Sequence, residues 1–598
     1  MSSGAGLQAI SKTPSLVLLP KVDGSPQVYR PVGSWTTRRG WLLIIFIPVV
    51  FLMPLCALVG QEKNEPGQRD VAVPGQTDAT LPKIDLPEFL ITGQETIDLP
   101  VSSKSVVEEE RIVLFESPSP GRKDMDVTAA VKQQKDIAGP VGQMNGRVFG
   151  SFGNYVTPSI EGWFGKKYVD GAVVFHANFA SSDGHVADAQ WQKTGVELQG
   201  DFLSPQSFGV VAGSLLNGGI GFSGESYRAY GSANPSQLRS LNDVHVNLGL
   251  SSRTAKIEKP DDQVAYSGEL SWNRIGLDDS VAASESEFSI SGNAVTQWNT
   301  YQLSGSMEYK ASGISMPLPP SLSAHSPQWF ALRFSGKTFV TPSLQASLTL
   351  QQSVYRGNLS VSKGRLYPGV ELQYFANDAT SLYASFKPTV ERNTLGSLAK
   401  TNKYVRNAME LQPSEVPLSI SLGSDISFSD KVRCGGVFTY RTVQNYPVYI
   451  ELDSAKVWDV MYLPEVSVTG FEARGAYQFS PENTGTLVAS LYSTAVKNSS
   501  NSVPNVPLLT LAGTYRRAFD NGLVIEGFAE YVTKRWTDFA HTNANAGYVS
   551  VGGRGEIQLF ENFRALVQVN NLFNRQFYVW DGYVERPFFV SLGVTYKW

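Results

Sequence analysis

The feature that most constrains this 598-residue chain is an alternation of apolar and polar residues with a period of two. It is clearest in the last twelve residues, 587–598, and it recurs back to about residue 147. Successive side chains of a β-strand point to opposite faces, so one face of this final strand suits lipid and most of the other suits water. The first face carries Phe588, Val590, Leu592, Val594, Tyr596 and Trp598, and the second carries Phe589, Ser591, Gly593, Thr595 and Lys597.

Further alternating segments occur at 172–180, 244–251, 302–309 and 345–351. Each is about 8–14 residues long, which is enough for a tilted strand to cross a bilayer. A soluble β-sandwich, whose apolar faces form a core, is the alternative for any one of these strands. Their number favours a membrane barrel.

The connections between these segments alternate between short and long. A closed barrel with tight periplasmic turns and larger external loops produces this alternation. Roughly 40 residues separate the late turns, so residues 147–598 hold roughly 22 strands, within a range of about 18 to 26. The fold predicted is an all-β, transmembrane antiparallel β-barrel. The short connections lie at 341–343, 377–378, 427–430, 481–483, 520–522 and 561–562, and long ones lie at 310–326, 393–402, 497–507 and 537–547.

The composition agrees with a barrel. Charged residues make up 17% of the chain and hydrophobic residues 42%. This is too polar for a bundle of membrane helices, but it suits strands that are apolar on one face only. The net charge of −4, without a Lys/Arg-rich run in the body of the chain, argues against nucleic acid as a partner.

The first 146 residues have a different character. Residues 41–60 are uncharged, follow Arg38 and Arg39, and are interrupted by prolines, which is typical of a signal peptide; a retained membrane anchor is the alternative. Residues 61–146 are rich in proline and charge, which predicts an extended or disordered periplasmic segment. The predicted organisation is a leader (1–60), the periplasmic segment (61–146) and the barrel (147–598).

Few residues are candidates for catalysis or metal binding. The two cysteines, Cys56 and Cys434, form no zinc motif, and the five histidines have no metal-binding spacing. His185 and His541 have aspartates nearby in sequence but lie in predicted loops, where such pairs are ordinary. We therefore predict no enzyme activity, no cofactor and no metal site.

The two faces of the strands carry further expectations. Glu526 and Glu530 are predicted to face the lumen, and the many Gln, Ser and Asn residues on inward faces predict a neutral polar lining. Aromatic residues near strand ends are interpreted as girdles at the membrane interfaces, with core aromatics as the alternative. They are Trp163 with Phe164, Trp329 with Phe330, Tyr531 with Trp536, and Tyr578 with Trp580.

A specific resemblance lies near the end of the chain. Residues 569–578, VNNLFNRQFY, are followed by Gly582-Tyr583 and a last strand that ends on an aromatic residue. This arrangement resembles the C-terminal end of TonB-dependent outer-membrane receptors. It implies an outer-membrane location and passage of a solute that the sequence does not identify. The spacing of Ser591, Gly593, Tyr596 and Trp598 resembles the terminal signal read by the barrel-assembly machinery of outer-membrane proteins.

A second, shorter resemblance lies in the periplasmic segment. Residues Glu88, Phe89, Leu90, Ile91, Thr92 and Gly93 look like a TonB box, with a chance apolar patch as the alternative. Receptors of this family carry a globular plug, whereas residues 94–145 are too few and too polar to form a full one. The prediction is a barrel in contact with outer-membrane lipid that mediates or assists solute passage, with TonB or another periplasmic protein as partner. The alternative is a structural or assembly barrel whose periplasmic segment binds a partner.

Overall fold

The computed structural model describes residues 142–252, 264–279, 281–317, 326–359, 362–499 and 501–598. The predicted leader, residues 88–93 and nearly all of the segment 61–146 lie outside the described residues. Within them the chain forms a single antiparallel sheet of 23 strands and two small two-stranded hairpins. No helix in these residues is long and apolar enough to cross a membrane.

The sheet follows chain order. Its first strands are β1 (Met144–Gly153), β2 (Thr157–Tyr168), β3 (Gly171–Ser182), β4 (Trp191–Leu203), β5 (Leu215–Arg228), β6 (Leu238–Ser251), β7 (Val264–Asp278), β8 (Ala283–Trp298), β9 (Tyr301–Ser315), β10 (Gln328–Thr341), β11 (Leu344–Arg356) and β12 (Lys363–Asn377). They are followed by β13 (Thr380–Phe386), β14 (Thr389–Glu391), β15 (Ser414–Ser429), β16 (Val432–Ile450), β17 (Asp459–Ser480), β18 (Asn483–Val496), β19 (Leu509–Ala518), β20 (Leu523–Val532), β23 (Tyr548–Gln558), β24 (Phe563–Asn570) and β27 (Phe589–Lys597). The hairpins are β21 (Arg535–Trp536) with β22 (Ala544–Asn545), and β25 (Tyr578–Trp580) with β26 (Tyr583–Val584).

The sheet closes on itself as a 22-strand barrel. β13 and β14 both pair with β15, so together they form one wall strand that Pro388 interrupts. Proline supplies no N–H to a ladder, which explains the break. β1 pairs with β2 on one side and with β27 on the other, from Arg147 opposite Lys597 to Gly153 opposite Ser591. The predicted fold and strand number are confirmed.

The terminal strand β27 divides its faces as its alternation predicts. Leu592 is 63% exposed on the outside of the barrel, whereas Phe589 and Ser591 are buried on the inside. Gly593 also faces inward, where a Cβ atom would lie 2.7 Å from the ring of Phe149. A side chain at position 593 would therefore disturb the strand pair that closes the barrel.

The two ends of the barrel differ. Both termini of the barrel and most of the tight turns lie at one end, which we call the turn end; the other is the loop end. Two turn-end connections are longer than tight turns, and one of them, 204–214, holds the 3₁₀ segment Gln206–Val211. The loop-end connection between β14 and β15 contains the only α-helix in the described residues, α1 (Leu395–Thr401).

The aromatic girdle is only partly where the sequence suggested. Trp163 faces the lumen and stacks on His176 with ring centroids 3.6 Å apart. Trp329 is buried on the lumen side of the wall. Trp580 is buried among loops, so the girdle interpretation is wrong for these three residues. A girdle of exposed aromatics does occur on the outer face at the turn end: Tyr168, Phe202, Trp298, Phe428, Phe479 and Trp598.

Candidate functional site

The candidate site is the loop end of the lumen, where a long connection reaches across the mouth. This connection, residues 392–413, is called the strap. Near the start of the strap, the Thr394 hydroxyl accepts the backbone N–H of Ser397 at 3.0 Å, and the Ser397 hydroxyl accepts the backbone N–H of Thr394 at 2.9 Å. This capping box starts α1. The helix buries Leu395, Leu398 and Ala399.

The strap leaves the wall between β14 and β15 but is anchored on β5 to β8, with β9 to β12 standing between. The backbone N–H of Leu395 donates to Glu285 of β8 at 2.7 Å. A Cβ atom on Gly396 would lie 2.0 Å from Cδ1 of Ile275 of β7, so a larger residue here would require the Ile275 side chain to move. The described anchors therefore fix the helix against a distant part of the wall.

Charge pairs continue this attachment. Lys400 Nζ lies 2.7 Å from Asp243 Oδ2 of β6, and Lys403 Nζ lies 2.8 Å from Glu225 Oε1 of β5. Arg392, at the start of the strap, pairs with Glu287 of β8. The strap thus carries positive side chains to carboxylates on the opposite wall.

Arg239 of β6 is the most deeply buried of the charged residues that join the wall to the strap; it is 1% exposed. Its guanidinium donates to the backbone carbonyl of Val405 and to Asn407 Oδ1 at 3.2 Å, and it pairs with Asp279 at 3.2 Å. Asn407 in turn donates to the carbonyl of Leu277 at 3.1 Å. One wall arginine therefore binds the strap backbone and a strap side chain together.

The ammonium of Lys403 also lies against two aromatic rings, 4.6 Å from the centre of Tyr227 and 5.6 Å from that of Tyr404. Burial alone would lower the pKa of Lys403, but the carboxylate of Glu225 outweighs it and raises the pKa above its usual value. Lys403 is therefore cationic at neutral pH. Cation–π contact and ion pairing reinforce each other here.

Other loops meet the strap in an aromatic cluster. Tyr404 stacks on Tyr583 with ring centroids 3.5 Å apart, and Trp458 packs against Trp580 at 5.0 Å. Tyr230 contacts Tyr583 edge-on at 5.1 Å. These residues come from different loop-end connections, which together form what we call the cap: residues 229–237, 392–413, 451–458, 533–547 and 571–588.

Backbone hydrogen bonds tie these loops to one another. Val405 and Trp458 form a parallel bridge, in which the N–H of Trp458 donates to the carbonyl of Tyr404 at 3.2 Å. Ala233 donates to the carbonyl of Ala455 at 3.0 Å, linking connections that lie on nearly opposite sides of the mouth. The cap is therefore a packed layer across the loop end, with its own buried apolar core.

Below the cap the lumen wall is divided by charge. The pairing registers place carboxylates on the inward faces of β4, β7 and β9, and place cations on those of β10, β16 and β17 and on the wall strand formed by β13 and β14. The expectation of a neutral lining is therefore wrong for these strands. The mid-lumen acidic residues are Glu197, Asp201, Glu269 and Glu308, beside Lys310; the cations are Arg333, Lys337, Lys387, Arg433, Arg441 and Arg474, interspersed with Glu371, Asp425 and Glu472.

The residues that the sequence singled out lie at several places. Glu526 and Glu530 face the lumen on β20, opposite Arg554 and Ser550 of β23, as expected. Ser591 and Gly593 face inward on β27, while Tyr596 and Trp598 lie outside, with ring centroids 5.5 Å apart. Recognition of these four residues by the assembly machinery stays a prediction.

The histidines considered as catalytic candidates have other partners. The ring of His185 donates to the carbonyl of Val584 at 2.9 Å, and burial lowers its pKa. His541 lies 3.1 Å from Ser502 and stacks on Trp536, while the Asp538 carboxylate binds Thr542 and Asn543. Neither pair of His and Asp side chains is brought together.

Among the described residues no group of three or more His, Cys, Asp or Glu side chains is arranged to hold a metal ion. The strap itself had no signal in the sequence strong enough to identify it. Its capping residues, Thr394 and Ser397, are common types, and its partners on β5 to β8 lie more than 100 residues away along the chain.

Comparison with known proteins places the fold. No protein-family model and no curated protein matches the sequence. Among solved structures, the barrel is similar to the iron transporter FrpB from Neisseria meningitidis, with 12% identity, a TM-score of 0.61, and coverage of 78% of this chain and 83% of that one. It is similar to the ferric enterobactin receptor PfeA from Pseudomonas aeruginosa, with 12% identity, a TM-score of 0.59, and coverage of 77% and 81%.

The copper transporter OprC is a third similar structure, with 11% identity, a TM-score of 0.58, and coverage of 76% of this chain and 80% of that one. These proteins are TonB-dependent receptors, so the chain has the barrel fold that its terminal motif indicated. A closed barrel with an apolar outside is an outer-membrane architecture, and the fold indicates that location.

Proposed function

We propose that this chain is an outer-membrane, receptor-like barrel that admits a solute through its lumen, and that the cap closes the outer mouth at rest. The observation that carries the proposal is the strap, which crosses the mouth above a charged, water-compatible wall. A barrel of 22 strands is too wide for wall side chains to fill. A mouth closed by ion pairs can open without unfolding the wall.

The similar structures support import over an assembly role. They are an iron transporter, a copper transporter and a ferric enterobactin receptor. We infer a non-enzymatic function, because the similar structures are transporters or a receptor.

Planar-bilayer recording of the purified full-length chain tests this function. The variant K400E/K403E reverses both charges that pair with Asp243 and Glu225, so each contact becomes repulsive. We expect small or rare conductance steps from the parent protein and a several-fold rise in open events from the variant. The wall strands are unchanged, so the variant should still fold, which heat-modifiable migration on gels would show.

The variant K497E is a matched control. Lys497 pairs with Glu465 at 2.9 Å at the loop end, with similar side-chain exposure to Lys400, but it lies outside the cap. It should conduct like the parent. Folded K400E/K403E protein that conducts no more than K497E would contradict closure by the strap. Recovery of the parent chain in the inner membrane or cytosol would contradict the outer-membrane assignment.

We also propose that residues 88–93 engage TonB or a similar energy-transducing protein in the periplasm. The support is their resemblance to a TonB box together with the receptor fold of the barrel. Deleting these residues should abolish energised uptake in cells while leaving conductance of the K400E/K403E barrel unchanged. Uptake that survives the deletion would indicate passive passage and refute this part of the proposal.

A further inference from the structure

On the outer faces of β5 to β10, one charged side chain lies within the wall rather than at the end of a strand. Ile275 of β7 is buried against α1 inside the mouth, so the neighbouring Arg274 points outward. Arg228 and Asp278 are the other charged residues that these six described strands turn outward, and each ends its strand. Arg274 is exposed, and its side chain forms no ion pair or hydrogen bond with another described residue.

The height of Arg274 on the barrel follows from its register. It lies directly opposite Ser286 of β8. Trp298, in the turn-end girdle, is on the same face of β8 and twelve residues further along. At about 3.4 Å per residue and a tilt of about 35–45°, this length rises about 30 Å. The apolar band of such a barrel is about 25 Å tall, so Arg274 lies just beyond its outer edge, at the level of the lipid headgroups.

The composition of the outer face changes at the same level. On the turn-end side of Arg274, Trp272 lies opposite Phe288, and the two side chains are 38% and 43% exposed. On the loop-end side, Gly276 lies opposite Ser284. The row that contains Arg274 therefore separates an apolar surface from a small and polar one, as expected at the boundary between acyl chains and headgroups.

Small residues leave open space beside Arg274. A Cβ atom on Gly276 would meet nothing within 4 Å, and one on Gly313 of β9 would meet only a backbone oxygen at 4.0 Å. The hydroxyls of Ser284 and Ser286 form no hydrogen bond with another described residue. Directly opposite residues have Cβ atoms about 5 Å apart, so the guanidinium and these hydroxyls can reach one common group. We call these five residues the shelf.

We propose that the shelf binds the phosphate headgroup of a lipid in the outer leaflet. The fork of donors on Arg274 matches two phosphate oxygens, and the hydroxyls of Ser284 and Ser286 donate to the others. The acyl chains lie along Trp272 and Phe288, which favours a lipid over a soluble anion. The site is on the outside of the barrel, so this proposal goes beyond the proposed function and does not depend on passage through the lumen.

Native mass spectrometry of the full-length protein in detergent tests the site, with dioleoylphosphatidic acid as the probe. Dioleoylglycerol has the same chains without the phosphate, and inorganic phosphate has no chains. We expect one bound phosphatidic acid, and dioleoylglycerol should bind about tenfold more weakly because it lacks the charge-assisted contact. Equimolar inorganic phosphate should displace none of the lipid.

Three variants separate the contributions of charge and space. R274Q should weaken binding of phosphatidic acid about tenfold and leave that of dioleoylglycerol unchanged. G276L keeps the charge but covers the shelf, so it should also weaken phosphatidic acid; the open space at Gly276 lets the barrel fold. R228Q is the matched control, because Arg228 is also on the outer face but is paired with Asp188. It should bind both lipids like the parent, and heat-modifiable migration on gels checks that each variant is folded.

Equal binding of phosphatidic acid and dioleoylglycerol, or equal effects of R274Q and R228Q, would overturn the proposal. Weaker binding by R274Q without any effect of G276L would show that charge alone attracts the headgroup, and would refute the shelf. Displacement by equimolar inorganic phosphate would identify a site for a soluble anion and refute the lipid assignment. The conductance of K400E/K403E should not change when R274Q is added, so this site and the proposed passage can fail separately.

Discussion

Replacing Arg239 by methionine isolates the contribution of one buried cation to closure of the mouth. Arg239 is 1% exposed, and it joins the wall to the strap through the Val405 carbonyl and Asn407 Oδ1. Methionine keeps much of the apolar stem but removes every donor. Asp279 then loses its guanidinium partner, and the strap backbone loses its bond to β6.

The expected cost follows from the burial of the group. Removing one partner of a buried ion pair destabilises a structure by about 3–5 kcal/mol. The low end applies here, because lumen water can hydrate Asp279 once the arginine is gone. At about 1.4 kcal/mol per factor of ten, the ratio of closed to open cap falls by about 10²-fold.

Hydrogen exchange measured by mass spectrometry reads this change directly. Peptides that cover the strap, 392–413, should exchange about 10²-fold faster in R239M, because their protection reflects the closed fraction. Peptides from the mid-wall strands should be unaffected. Open events in planar bilayers should rise together with the exchange rate.

The control is R564M. Arg564 also lines the lumen, but it pairs with Glu556 near the turn end and is 40% exposed, so its loss should cost less than about 1 kcal/mol. Unchanged strap exchange in folded R239M would refute the argument that this buried cation holds the mouth closed. Equal acceleration in R564M would show that the effect is a general loosening of the barrel.

Three other expectations concern the wall and the cap. Gly593→Val should reduce the yield of heat-modifiable folded barrel, since its Cβ would press on Phe149, whereas Gly150→Ala, where a Cβ meets nothing within 4 Å, should fold normally. Burial raises the pKa of Asp538, but hydrogen bonds from Thr542 and Asn543 outweigh it and lower the pKa to about 2. The contribution of this carboxylate to loop stability is therefore complete above about pH 4 and is lost as the pH falls toward 2. Hydrogen exchange of residues 538–543 should accelerate over that window, and unaltered exchange would refute the expectation. Trp458→Ala should loosen the cap by about 3 kcal/mol or more, seen as faster strap exchange, while exposed Trp298→Ala should leave the strap protected.

The barrel was predictable because the sequence patterns that specify it are local. The alternation on β27 and the spacing of turns such as Pro481-Glu482 each concern neighbouring residues, and a period of two assigns the faces once one face is known. The same rule corrects the girdle interpretation. Trp163 and Phe164 are consecutive, so both could never face lipid, and the structure turns Trp163 toward His176.

The cap was not predictable, because its contacts join distant parts of the chain. Lys400 and Asp243 are 157 residues apart, and Lys403 and Glu225 are 178 apart. Loops without periodicity give no signal that would pair them. The uneven charge of the lumen was missed for a related reason: the sequence shows which residues face inward, but only the closed order of strands shows that the carboxylates of β4, β7 and β9 lie on the same side of the barrel.

The pairing of β1 with β27 also determines when the barrel can be completed. Arg147 and Lys597 come together only after nearly the whole domain has been made, so closure is the most non-local contact in the wall. Until then both outer strands expose unpaired backbone groups, which invite aggregation. The strand order therefore requires that the incomplete sheet be protected from aggregation until its last, nine-residue strand pairs with β1. A chain truncated before Phe589 would remain an open sheet with two unpaired edges.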